Sequence, residues 1–443
     1  MSSTPLHLSP LAELTHGSLS LSLAGPELII VLGEDLTLYR HYSRLVFNLV
    51  RSLLGPSCAV EKLGMDELFS DVTALIAAHL ADIDSGRVRP QQDGRIWFTL
   101  AGEGAAGFWY PPDGYAGHRL EAEDVVVSSS VASTSSPTRP SAYLVASHLA
   151  LHLRSQIQTV IGLSSSAGVS HTKCLAKLIG SVHKPADQTT LAPIFLLSPT
   201  STPTVNPQTS QLIQSFLDPL PIRSVPGFGH SVGAKVNEAL ASLPSPPVHA
   251  DAPTVLIART HLSLNSFKSM TTSRLAPILW DLLHGIDPSP VIASPDFPAQ
   301  IGVEDSYAAK HSFTWKRLAD ETERLLTALL VRLEEELVVV DAATGTRRWV
   351  RWPKKLRLEL RRGWDLPIGR EGKSLDMPVG VFDLEMDVAS RVAVLMGRKT
   401  ASPRADSSTG SSGSRPTKVG GPVGSLLRGL VKESDGASFD LYM

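Results

Sequence analysis

Apolar positions recur along this chain at two different periods. ELIIVL, from Glu27 to Leu32, is a continuous apolar run of strand length, and over Glu34 to Leu54 the spacing within LYRHYSRLVFNLVRSLL becomes helical. Val60, Leu63, Met65, Leu68, Phe69 and Val72 then mark an extended, half-buried segment, followed by a second helix through VTALIAAHLADI. This β-α-β-α start is typical of a layered α/β domain. A helix resumes at AYLVASHLALHLRSQIQTVIG, where Leu144, Leu149, Leu153, Ile157 and Val160 follow near-helical spacing. LSSSAGVSHTKCLAKLIGSVHKP reads as a short strand, a turn and a helix with Leu175, Leu178, Ile179 and Val182 on one stripe.

Further along, LIQSFLDPLPIRSVPGFGHSVGAKVNEAL predicts helix, tight turn, helix, with Pro226, Gly227, Phe228 and Gly229 at the turn. From about Ser289 the chain combines the helix SFTWKRLADETERLLTALLVRLEEEL with a basic strand, RRWVRWPKKLRLELRRGW. In that strand Leu356, Leu358 and Leu360 alternate with Arg357, Glu359 and Arg361, so one face packs on a helix and the other faces outward. Three tracts lack a period. Residues 1–26 are rich in Ser, Leu and Pro; residues 85–141, with WYPPDGYAGH and SSSVASTSSPTRP, read as an insertion loop with little core of its own; residues 400–424 read as a disordered insertion.

Composition narrows the possibilities. At 443 residues the chain is long for one core and suggests several modules of ~150 residues each. A formal net charge of -2 excludes a uniformly basic nucleic-acid binder, so any basic surface is local. Cys58 and Cys174 are the only cysteines and form no CxxC pattern, which indicates neither a disulfide framework nor a zinc site and fits a reducing compartment. No basic n-region precedes an apolar core, and no run approaches the ~18 apolar residues of a membrane span, so a soluble, intracellular protein without a membrane partner is expected.

Four features carry candidate chemistry. Asp66 and Glu67 stand side by side where adjacent acids repel and resist desolvation; a nearby Lys or Arg compensates, or a divalent cation, and only the cation explains their adjacency. Lys173 and Lys177 lie four residues apart near the first turns of a helix, where the dipole and free amides favour an anion such as a phosphate; a solvated amphipathic face is the alternative. The amides around Pro226–Gly229 suit one DNA backbone phosphate, as in helix-hairpin-helix modules, or merely join two helices. From Arg347 to Arg362 eight residues are Lys or Arg and only Glu359 is acidic, a face suited to phosphates or to protecting a solvated strand edge.

LGEDLTLYRHYS, VEKLGMDELFSDVT, GLSSSAGVSHTKCLAKLIGSVHKPADQTTLAP and IRSVPGFGH, in this order, resemble consecutive blocks of the Y-family translesion DNA polymerases, and SPVIASPDFPAQIGVEDSY resembles the start of that family's little finger. The resemblance covers most of residues 28–443. It implies an α/β and α+β multidomain fold: an unassigned segment at 1–26, a partial palm at 27–200 with its insertion at 85–141, a helical helix-hairpin-helix thumb at 201–288, and an α/β little finger at 289–443. It further implies that Asp66 and Glu67 are catalytic metal ligands for Mg²⁺, with Mn²⁺ as the alternative, and that Lys177 and Lys173 hold the nucleotide triphosphate. Pro226, Gly227, Phe228, Gly229, Arg357 and Arg361 would meet DNA.

The implied partners are primer-template DNA and deoxynucleoside triphosphates, with the replication clamp and ubiquitin as partners of a fuller chain, in the nucleus. Departures from the family pattern are also expected to matter. The family's Asp-x-Asp strand and its fingers are missing, since Glu13 is the only acid before Glu27, and the chain reads as a truncated version. A DNA-bound fragment or scaffold without nucleotidyl transfer is therefore the competing expectation. Ser170-His171-Thr172-Lys173 also fits the S-x-x-K pattern of acyl-enzyme hydrolases, but without recognisable SDN and KTG companions.

Overall fold

The computed structural model describes residues 18–21, 28–31, 36–101, 107–120, 140–192, 195–196, 204–205, 207–247, 252–306, 315–361, 371–398, 423, 425 and 440–442. The expected insertion at 400–424 lies outside them apart from Val423, which is buried. The fold is mixed α/β and divides into two compact units, one of Leu38–Ser294 and one of Met1–Thr37 with Pro295–Met443.

In the unit of Met1–Thr37 with Pro295–Met443, β1 (Ser18–Leu21) pairs antiparallel with β2 (Leu28–Val31). β1 lies in the tract without a period, because four residues alternate too briefly to announce a strand. α1 (Thr37–Leu54) buries Phe47, Val50 and Leu54 at helical spacing. The extended segment expected next is instead a hairpin of β3 (Ala59–Lys62) and β4 (Leu68–Asp71), with Val60 opposite Ser70 and Glu61 opposite Phe69. Gly64, at φ +136°, supplies the backbone freedom the reversal needs, and Leu63 and Met65 end up exposed in the turn. α2 (Thr73–Asp84) follows.

The tract 85–141 has more core than its composition suggests. β5 (Ile96–Phe98) pairs with β6 (Phe108–Tyr110), and Ile96, Phe98 and Tyr110 are buried. Three-residue aromatic strands bury well on a pleated surface, and the surrounding Gly and Pro conceal them; residues 121–139 of this tract lie outside the described residues. After β7 (His118–Arg119), α3 (Ala142–Ile161) begins at Ser141, whose hydroxyl accepts the Leu144 N–H at 3.2 Å. β8 (Ala167–Val169) and β9 (Gln188–Thr190) complete a parallel sheet of order β7-β9-β8, with α4 (Lys173–Ile179) connecting them. β10 (Phe195–Leu196) pairs with β11 (Thr204–Val205).

Helices dominate the rest of this unit: α5 (Pro207–Leu217), α6 (His230–Ala241), α7 (Val255–His261), α8 (Leu264–Met270) and α9 (Leu275–Leu283). Its apolar interior has two parts. Side chains of α1, α2, α3, β5 and β6 form one, and those of α4 join α5 through α9 in the other.

In the second unit, β12 (Glu304–Ser306) precedes the long α10 (Trp315–Leu337), and β13 (Val338–Val340) pairs with β14 (Arg347–Trp349). The basic stretch is thus two strands, since β15 (Lys355–Arg361) starts anew beyond Pro353, which has no N–H for a continuous ladder. β16 (Glu371–Asp376) and β17 (Asp440–Tyr442) complete a sheet of order β12-β17-β15-β16, with α11 (Val388–Met396) between them in sequence. Leu356 and Leu358 are buried with the apolar side of α10 and α11, as alternation predicts.

Candidate functional site

Alternation along β3 sends Val60 into the core and puts Glu61 on the other face, beside its register partner Phe69. The Leu63 N–H donates to Glu67 O at 2.9 Å and closes the turn, with Asp66 exposed in it and Glu67 at its end. Two acids of this hairpin meet the two lysines of α4. Lys177 Nζ donates to Glu67 Oε2 at 2.6 Å, and Lys173 Nζ donates to Glu61 Oε1 and Oε2 at 2.8 and 2.7 Å. Lys173 also lies 5.2 Å from the centre of the Phe69 ring.

Close contact between β8 and α4 sets the helix in place. A Cβ on Gly168 would collide with the Ala176 carbonyl oxygen and come within 2.7 Å of Gly180 N, so strand and helix touch backbone to backbone. Cys174, Leu175, Leu178 and Ile179 anchor the buried side. The first turn is closed by the protein itself. Thr172 Oγ1 accepts the Leu175 N–H at 3.2 Å, and Asp287 Oδ2 accepts the Cys174 N–H at 2.9 Å. Of the amides expected to attract a phosphate, that of Cys174 already holds a carboxylate and that of Leu175 a hydroxyl.

Burial pushes the Glu61 carboxyl up, but the hydrogen bond from Lys173, the N–H of Ile292 and the lysine's charge outweigh it and hold the group below the ordinary carboxylate range. Burial, with the nearby Asp287, pushes the Cys174 thiol up to about 12, so it is not a thiolate nucleophile.

Of the residues singled out in the sequence, Glu67 and Lys177 are in direct contact, Asp66 adjoins them in the turn, and Lys173 is committed to Glu61 instead. That commitment also takes from the Ser170–Lys173 pattern the free amine a hydrolase would need. Glu61 and Asp287 carry no such signal in the sequence, and Phe69 shows there only as an apolar position. Gly64 in KLGM is the turn signal that would have folded Glu61 back toward Glu67.

The turn at 226–229 joins a 3-10 helix at Ile222–Ser224 to α6. Gly229 is exposed at the N-cap of α6, whereas Phe228 is fully buried and its N–H donates to Val225 O at 3.1 Å, so Phe228 offers DNA neither ring nor amide. On β15 the exposed Arg357 pairs with Glu359 at 2.7 Å, and Arg361 stands opposite Asp440 in register.

Among the described residues no group of three His, Cys, Asp or Glu side chains is arranged to hold a metal. The donor type nevertheless suits a hard divalent cation, which typically takes one or two carboxylates and completes its shell with water and substrate phosphates. Asp66 and Glu67 would be those carboxylates, with Lys177 yielding its hold on Glu67. No described helix is long and apolar enough to cross a membrane.

Residues 20–181 match the impB/mucB/samB family (IMS). The chain is similar to DNA polymerase iota of Drosophila melanogaster, 32% identical over 170 residues, which are 38% of this chain and 19% of that protein. It is similar to DNA polymerase iota of Homo sapiens, 27% identical over 358 residues, 81% of this chain and 38% of that protein. DNA polymerase IV of Escherichia coli is 27% identical over 255 residues, 54% of this chain and 64% of that protein. A solved Y-family DNA polymerase chimera aligns with 92% of this chain and 76% of its own, at 12% identity and a TM-score of 0.43. The chain thus spans 19% and 38% of the length of these two iota polymerases. Residues 20–181 thus match the impB/mucB/samB family, and over 81% of its length the chain is similar to a DNA polymerase iota.

Proposed function

We propose that the chain acts in template-directed DNA synthesis of the translesion class, adding deoxynucleotides to a primer opposite damaged template. The observation that carries this reading is the Asp66–Glu67 turn, within the family-matched residues, with Glu67 bonded to a lysine of the facing helix. Asp66 and Glu67 would hold Mg²⁺ or Mn²⁺, which when bound activates the primer 3′-oxygen and neutralises the triphosphate. Lys177 exchanges one anionic acceptor, the Glu67 carboxylate, for another, a phosphate oxygen. Thumb contacts are assigned to a helix-hairpin-helix at Pro226, Gly227 and Gly229, and little-finger contacts to Arg357 and Arg361. Primer-template DNA and deoxynucleoside triphosphates are the partners, with clamp and ubiquitin contacts belonging to a fuller protein, in the nucleus.

A second reading, a non-catalytic DNA-binding fragment or scaffold, is favoured by one observation: the Glu67 carboxylate is already held by Lys177 at 2.6 Å. On that second reading this chain gives little or no primer extension. The test is primer extension at equal DNA occupancy by this chain, by the chain joined to the N-terminal strand and fingers of an iota polymerase, and by that fusion with Asp66→Ala. Divalent-dependent synthesis by the fusion, abolished by Asp66→Ala, is expected. A fusion that binds DNA and never extends it establishes the scaffold reading instead.

A further inference from the structure

Lys173 and Lys177 occupy equivalent places on one helix face, yet their surroundings differ. The Lys173 side chain is 17% exposed and its ammonium group is shared among both Glu61 oxygens, the Pro290 carbonyl at 3.4 Å and the Phe69 ring. The Lys177 side chain is 35% exposed and faces Glu67, itself 40% exposed. An exposed pair exchanges partners easily, whereas dismantling a shielded one strands a charge.

Glu61 has a second donor. Its Oε2 accepts the Ile292 N–H at 2.8 Å, and the contacts continue along β3: Ser294 N–H donates to Val60 O at 2.9 Å, and Lys62 N–H donates to Ser294 Oγ at 2.8 Å. Asp287, at the other end of this segment, binds the first turn of α4 through the Cys174 N–H. Segment 287–294 is thus fastened at one end to the helix that carries both lysines and at the other to the hairpin that carries Asp66 and Glu67. The Glu61–Lys173 pair stands where segment, helix and hairpin meet.

We propose that Glu61 and Lys173 are positioning residues: their ion pair fastens segment 287–294 and α4 to the carboxylate hairpin, and it leaves Lys177 as the lysine of α4 that meets an incoming phosphate. The second half rests on the polymerase reading; the first half does not. Removing Lys173 leaves the Glu61 carboxylate half-buried and uncompensated, so the hairpin and the segment part. Removing Lys177 leaves that fastening in place.

Two readouts on the full chain, with Lys173→Met, Lys173→Arg, Glu61→Gln and Lys177→Met, test this. Hydrogen–deuterium exchange over 287–296 should rise by about tenfold in Lys173→Met, as expected for loss of a charge-assisted bond, and return toward the parent value in Lys173→Arg. It should rise in Glu61→Gln and stay unchanged in Lys177→Met. Binding of inorganic triphosphate with Mg²⁺ should weaken about tenfold in Lys177→Met and by clearly less in Lys173→Arg. Unchanged exchange in both Lys173→Met and Glu61→Gln overturns the fastening. Triphosphate binding lost equally on Lys173→Arg and Lys177→Met, with exchange still protected, makes Lys173 a ligand-binding residue and overturns the division of roles. A parent chain that binds no triphosphate overturns that second half, while primer extension by the fusion still decides the polymerase reading and the exchange readout still decides the first half. Should Lys173→Met fail to fold, Glu61→Gln and Lys173→Arg carry the exchange test alone.

Discussion

Acid should weaken the Leu38–Ser294 unit before its surface carboxylates titrate, because of His79. Its ring is 6% exposed between α2 and the β5–β6 hairpin, with Nε2 2.9 Å from the buried Tyr110 hydroxyl and the Phe98 ring 4.5 Å away. Burial lowers its pKa from 6.5 to about 4, only partly opposed by Asp82. A histidine whose folded pKa is depressed contributes stability that is complete above its unfolded value and is lost as pH falls toward the folded value. The window is therefore pH 6.5 down to 4, in which the unfolded chain binds the extra proton. With those two values the loss is about 2 kcal/mol at pH 5 and about 3 kcal/mol at pH 4. Burial also lowers His148 and His152, which pack beside Tyr110 and Phe108, so the full slope should exceed the His79 share. Urea denaturation followed by tryptophan fluorescence suits the measurement, since Trp97 and Trp109 meet edge to face at 5.0 Å on the same hairpin. His79→Gln keeps a polar partner for Tyr110 and removes the titration. Its midpoint should change less than the parent's between about pH 6.5 and 5, and identical slopes for the two proteins would refute the reasoning.

Other substitutions separate folding from function. Gly168→Ala drives a methyl into the backbone of α4 and should cost about 3 kcal/mol, read as a lower urea midpoint at unchanged slope; a neutral result means that α4 and β8 do not touch backbone to backbone. Gly229→Ala meets nothing within 4 Å and should leave stability unaltered, yet it should weaken duplex binding if the amides beside it hold a phosphate. Gly227→Ala, at φ +91° and 3.0 Å from Leu279 Cδ2, should destabilise by about 1–2 kcal/mol instead. Arg357→Glu should lower DNA affinity alike on all sequences and flatten the log-log salt dependence by about 0.9 for each phosphate the protein no longer neutralises; a sequence-selective effect would contradict a phosphate role.

Local periodicity made the helices legible. Leu144, Leu149 and Ile157 announce α3, and Leu325, Leu329 and Leu333 announce α10, because each helix needs only its own i, i+3 and i+4 neighbours to show its buried side. Strands of two to four residues carry no such record. β5 and β6 were hidden in a Gly- and Pro-rich tract, although each delivers buried aromatic or branched side chains. Reading Val60–Thr73 as a single extended segment concealed the hairpin, since one glycine in the wrong half of the Ramachandran map reverses the chain and breaks the alternation.

The site was half legible for the same reason. Asp66 and Glu67 are conspicuous because they are adjacent, and Lys173 and Lys177 because they share a helix face. Their pairing is not conspicuous. Glu61 reaches Lys173 across 112 residues of sequence, and Asp287 reaches the Cys174 amide across 113. Sequence spacing suggested one basic site for one anionic ligand, but the fold supplies its own anions. It meets the more shielded lysine with the more shielded acid and caps the helix with Asp287. What is left for a ligand is graded by exposure: Asp66 open in its turn, Glu67 and Lys177 paired at the half-exposed rim, and Glu61 with Lys173 held inside. On the proposed reading a cation-bound triphosphate would compete best where solvent already competes, so the outer pair would open to it while the inner pair keeps hairpin and helix in register.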